Sequence, residues 1–147
     1  MVLAGAAFSE SGWMKLAPDA DLGQTVEGVE PGDIDNPGGV ALIRASKADA
    51  EAQECVQGFV LDKWVEEDEE VGLIKVDAQG CDLRALVGLR KTIERCRPGI
   101  LFEFEEGLAR LQGDSWLHYE GFFNMLGYGL EEQEKVGYKN NWVAVPR

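Results

Sequence analysis

Asp77 closes a mostly apolar run, Val71-Gly72-Leu73-Ile74-Lys75-Val76, and Gly80 follows it within three positions. A carboxylate at the tip of a buried strand can take a proton or orient a hydroxyl or amine. Glu103 and Glu105 sit at the end of a second apolar run, Ile100 to Phe104. If the two runs are neighbouring parallel strands, ~5 Å apart, these acids line one crevice. Ligands of α/β sheets gather there, outside the carboxyl ends of the strands. Lys75 places a cation just before Asp77, although a lysine in that position more often flanks a strand than acts. His118 is the single imidazole, and imidazole titrates near neutral pH, so it is a candidate base or substrate contact. The bland readings stand beside these: Asp77 as a turn or helix cap, His118 as a structural or exposed residue. The five consecutive acids from Glu66 to Glu70 read as a solvated turn. Cys55, Cys81 and Cys96 lack metal-ligand spacing, so no zinc site is expected.

The elements that must position these residues follow from periodicity. Val71 to Val76 reads as a short buried strand, and Gly80 permits a tight turn. From Asp82 the apolar period becomes helical, with Leu83, Leu86, Val87, Leu89 and Ile93 on one stripe. Asp82 in the first turn, Arg95 and Arg97 near the end, and Pro98 as a stop all agree with one helix. The strand Ile100 to Phe104 completes a βαβ unit, which predicts parallel strands and a right-handed crossover. Before this unit, Met1 to Phe8 is apolar from its first residue and reads as a strand cut into mid-fold. Ser9 to Gly12 is a turn and Trp13 to Ala17 a strand. Asp19 to Gly39, with five glycines, two prolines and six acids, is a loop or insertion. Val40 to Ile43 is a strand, Ser46 to Glu54 a surface element, Gln57 to Val60 extended, and Leu61 to Val65 a short helix. After the unit, Gly107 to Asp114 is a polar loop or loose helix. Trp116 to Leu126 is a helix stopped by Gly127. Tyr128 to Val136 and Asn141 to Val145 alternate around a turn at Gly137 to Asn140, which predicts an antiparallel hairpin.

Bulk numbers bound the function. The chain has 147 residues, enough for one domain over residues 1–147. Its 27 acids against 14 Lys and Arg give a formal net charge of −13. That disfavours nucleic acid and anionic membrane surfaces. No apolar run approaches the ~20 residues of a membrane span, and no signal peptide pattern opens the chain. Scattered cysteines with one left over favour an intracellular, reducing compartment.

The stretch Ile74-Lys75-Val76-Asp77-Ala78-Gln79-Gly80-Cys81-Asp82-Leu83-Arg84-Ala85-Leu86-Val87-Gly88 resembles the "IKiDvqGyElevLkG" signature of FkbM-type methyltransferases. Val60-Leu61-Asp62-Lys63-Trp64 is similar to the "tLDd" element before that signature, and Arg97-Pro98-Gly99-Ile100-Leu101-Phe102-Glu103 to its "rPvilfE" strand. Ala6 to Gly12 resembles the earlier "alsdksG" segment, and the closing hairpin resembles the family's last two strands. The resemblance implies a Rossmann-like α/β fold using S-adenosylmethionine, with parallel strands and a C-terminal antiparallel hairpin. One departure stands out. The family's glycine-rich cofactor turn, "DvGaniG", has no counterpart, since Gly38-Gly39 follows Pro37 in a polar loop. The chain is therefore expected to hold a truncated domain lacking the first two strands. An unpaired apolar edge at Val71 to Val76 would follow, and such edges recruit partners. The expected cover is the N-terminal strand, a second copy or another subunit.

By resemblance the activity is methyl transfer to an oxygen or nitrogen of a small molecule, sugar or lipid. Asp77 and Glu103 are then the catalytic candidates, Asp77 and Gly80 the cofactor contacts, and Asp62, Lys75 and His118 the acceptor contacts. The alternative expectation is a non-catalytic subunit or scaffold that binds a protein partner through its strand edge.

Overall fold

The computed structural model describes residues 6–16, 42–45, 55–136 and 139–147. Within them the chain builds two four-stranded sheets. The first contains β1 (Ala6–Ala7), β2 (Gly12–Leu16), β3 (Leu42–Arg44) and β4 (Cys55–Phe59), in the spatial order β1-β4-β2-β3. β1 runs parallel to β4, while β2 is antiparallel to both β3 and β4. A 3-10 turn at Leu61–Lys63 leads toward the second sheet. There the order along the chain is β5 (Leu73–Val76), α1 (Asp82–Gly88), α2 (Arg90–Cys96), β6 (Gly99–Phe104), α3 (Glu106–Leu111), α4 (Trp116–Met125), β7 (Tyr128–Val136) and β8 (Lys139–Pro146). The spatial order is β5-β6-β8-β7.

β5 and β6 are parallel, with Ile74 opposite Ile100 and Val76 opposite Phe102. β6 alternates strictly: Ile100, Phe102 and Phe104 are buried, and the residues between them are partly exposed. That period of two turns one face of the sheet toward the helices. Ile74, Val76, Ile100, Phe102 and Ala144 from the strands pack in one cluster with Leu83 and Leu86 of α1, Ile93 of α2, Ala109 of α3, and Tyr119 and Phe123 of α4. Phe102 stacks on Tyr119 and Phe123, with ring centroids 5.6 and 5.0 Å away. Burying each such ring contributes roughly 2–3 kcal/mol. The opposite face is thinner, and Leu73 on it is 73% exposed.

Several expectations change in detail. The helix expected from Asp82 to Pro98 is two helices meeting at Leu89, which has φ −107° and ψ 11°. The cause is tertiary. Asp62 accepts hydrogen bonds from the Lys91 and Thr92 backbone N–H groups, at 2.8 and 2.9 Å, and from the Thr92 hydroxyl at 2.7 Å. These bonds give α2 a capped N-terminus of its own. α2 ends at Arg97, whose left-handed φ of 52° turns the chain into Pro98. The strain is offset by its guanidinium, which donates to the Leu126 and Gly127 carbonyls and lies 4.7 Å over the Tyr128 ring. Of the two alternatives for Gly107 to Asp114, loop or loose helix, the helix is found: α3 forms where Leu108 and Ala109 bury themselves against the Gly80 turn and the core. β8 begins at Lys139, inside the turn expected at Gly137 to Asn140. The N-terminal strand is described only at Ala6–Ala7, and it pairs with β4 rather than covering β5. Residues 1–5, the expected loop 19–39 and the Ser46 to Glu54 element lie outside the described residues.

Candidate active site at the tip of β5

Four residues after the start of β5 the chain leaves the sheet, and Asp77 is the first residue beyond it. Its side chain is half exposed, with Lys75 Nζ 3.7 Å from Oδ2. Gln79 Nε2 donates to Oδ1 at 3.0 Å. The next residues form a tight turn in which Gln79 and Gly80 both have positive φ, 48° and 88°. The left-handed region is costly for a residue with a side chain, so something must hold Gln79 there.

Asp82 does so. It is 1% exposed. Its Oδ1 accepts the Ala78 N–H at 3.4 Å and its Oδ2 the Gly80 N–H at 3.2 Å. Burial pushes its carboxyl up to about 6, against the pull of the hydrogen bonds from Ala78 and Gly80, and the charge of Glu103 adds to the rise. Gly80 also lies against α3: a Cβ there would stand 2.6 Å from Leu108 backbone atoms. Glycine is required on both counts. Beneath the turn, the Leu83 N–H donates to the Tyr119 hydroxyl at 3.2 Å. Tyr119 is fully buried, which raises its phenol far above the ordinary range and keeps it protonated.

Glu103 lies one residue past Phe102, which faces Val76 across the parallel pair. It therefore reaches the same end of the sheet as Asp77. The structure thus places Lys75, Asp77 and Gly80 at one strand tip, and Glu103 at the same end of the neighbouring strand, close enough for its charge to act on Asp82. Asp62 is instead engaged by the N-terminus of α2. His118 sits in the first turn of α4, where its Nδ1 accepts the Ser115 N–H at 3.2 Å in a capping box. It lies 3.7 Å from Asp114, whose carboxylate takes two 2.7 Å bonds from Arg84. Neither Asp82 nor the Arg84–Asp114 pair is among the site residues expected from the sequence. For Asp82 the available signal is its spacing: an acid two and four residues past the turn amides it binds.

The profile of the methyltransferase FkbM domain matches residues 21–133. This chain belongs to that family. No curated protein and no solved structure matches it. The matched stretch of the FkbM domain contains β5, the Ala78 to Gly80 turn, β6 and both acids at their tips. A nucleotide-type cofactor needs glycine where the backbone approaches its charged groups. Among the described residues no glycine-rich turn follows a strand, and the space beside Gly80 is filled by Leu108. The described part of the FkbM domain supplies carboxylates at a strand tip. Gly38 and Gly39 lie outside the described residues.

Proposed function

We propose that this FkbM domain serves the transfer of a methyl group from S-adenosylmethionine to an oxygen or nitrogen of a small molecule, sugar or lipid. In this reading the tip of β5 is the acceptor side of the site. The observation that carries it is the half-exposed carboxylate of Asp77 at the end of a parallel strand, inside the matched domain. Asp77 is placed to accept a hydrogen bond from an acceptor O–H or N–H and to take its proton. Gln79 and Lys75, each in contact with one oxygen of Asp77, fix the direction in which its lone pairs point. Glu103, at the neighbouring tip, is the second polar wall. Positioning of this kind is the main demand of group transfer between two bound molecules.

Calorimetric titration of S-adenosylmethionine into the full chain tests the reading. Micromolar binding supports a site complete in this chain. No heat at millimolar ligand removes catalysis by this chain alone.

A partner belongs to the same proposal. β5 has β6 as its neighbour and no second strand among the described residues, and Leu73 beside that edge is largely exposed. These features support a second copy or another subunit along β5.

A further inference from the structure

We propose that Asp82 is a positioning residue, whose ionised carboxylate latches the Ala78 to Gly80 turn and thereby sets the orientation of Asp77 and Gln79 at the tip of β5. The inference rests on the reading of that tip as the acceptor side, but its geometry is independent of any ligand. Two backbone N–H groups of the turn point to one side chain, and each meets a different oxygen. Only a carboxylate offers two acceptor oxygens there. An amide offers one acceptor and one donor, and a protonated carboxyl likewise turns one oxygen into a donor. The turn so fixed contains Gln79 in the left-handed region, and Gln79 is the residue whose side chain holds Asp77. The chain from Asp82 to the reactive carboxylate is therefore two hydrogen bonds, one strained residue and one further hydrogen bond.

The setting of Asp82 makes this arrangement conditional. It is almost wholly buried, and the charge acting on it is that of Glu103 on β6, of the same sign. From α4 it faces the Tyr119 phenol, which stays neutral, and its chain neighbour is the buried thiol of Cys81. A helix start needs no such residue: a serine would cap it without burying a charge. Retaining an acid here makes sense if both oxygens are needed by the turn. When the acid is protonated, one of the two turn bonds loses its acceptor, and Gln79 loses the support for its conformation. Asp77 then loses its fixed direction.

Heteronuclear NMR on the full chain reads each link. On acidification from pH 8, the Ala78 and Gly80 amide resonances should move together with a midpoint near pH 6. The side-chain NH2 of Gln79 should follow the same curve. The protection of the two amides, taken relative to the intrinsic exchange rate at each pH, should fall at least tenfold below the midpoint. In Asp82→Asn these signals should be flat near pH 6, with the protection of both amides low at every pH. A midpoint below pH 4.5, or Asp82→Asn amides as protected as those of the native chain, overturns the latch. So does a Gln79 side chain that stays still while Ala78 and Gly80 titrate, because Asp82 would then be merely structural. The native titration alone decides the matter if the variant does not fold. Failure of S-adenosylmethionine to bind would remove catalysis by this chain alone and leave the NMR curves unchanged.

Discussion

Asp82 and Gly80 place opposite demands on the turn they share, and each yields a measurable outcome. Asp82 has a folded carboxyl value of about 6 against 3.8 for the ordinary side chain. A group raised in the folded state contributes its full stability below the unfolded value and loses it as pH climbs through the folded value. The loss between pH 4 and pH 8 is about 2.5 kcal/mol, because each tenfold difference in proton affinity between the folded and unfolded chain is worth ~1.4 kcal/mol and a small part of the loss lies below pH 4. Asp82→Asn does not titrate, so the stability gap between variant and native chain should swing by about that amount in the variant's favour over this range. Urea unfolding at several pH values measures the swing. Gly80→Ala should lose roughly 2–4 kcal/mol, since a left-handed backbone and a 2.6 Å approach to Leu108 both oppose a side chain. Asp77→Asn differs from both. Its side chain is half exposed, so stability should stay within ~0.5 kcal/mol, while turnover on any accepted methyl acceptor should fall ~10²–10⁴-fold. The turn at Gly80 is legible in the sequence because a glycine follows the end of an apolar run, and its φ of 88° bears that out. Asp82 is not, because an acid in a first turn already has an adequate local explanation. His118 draws attention for its chemistry, and its Nδ1 accepts the Ser115 N–H three residues back, a capping bond that the residue types alone do not show.

The elements are easier to read than their joints. Parallel β5 and β6, the helical stripe between them, α4 and the closing hairpin all follow from apolar periodicity of two or 3.6. The break at Leu89 does not, since Leu86, Leu89 and Ile93 stay on one stripe across it. The break comes from Asp62, which is far off in sequence and whose carboxylate creates a new helix start at α2. Asp62→Ala should therefore cost about 1–2 kcal/mol, as the loss of an N-cap does. Thermal unfolding should show it, with S-adenosylmethionine affinity per folded molecule unaltered. An acceptor-binding role would instead show as a raised KM with little change in melting temperature. α3 escapes a reading by period because six residues are too few to display one, and its packing on Gly80 is what gives it a role.

At the scale of the molecule, all four described helices contribute to the core on one face of the second sheet, and β5 stands at that sheet's edge. If a second polypeptide completes the edge, analytical ultracentrifugation at micromolar concentrations should show a species heavier than one chain. Leu73→Lys should return it to a single chain without loss of fold, since Leu73 lies outside the core. A native chain that sediments alone at every concentration refutes pairing between copies. The arrangement of the remaining strands has a consequence for how the sheet is assembled. β8 comes after every other described strand, yet it lies between β6 and β7 and is antiparallel to both. β7 is therefore synthesised before the surface it needs exists, and the sheet grows by insertion rather than by addition at a rim. Cleavage ahead of Lys139 would not trim the sheet; it would set β7 adrift and strip β6 of its neighbour from Ile100 to Phe104.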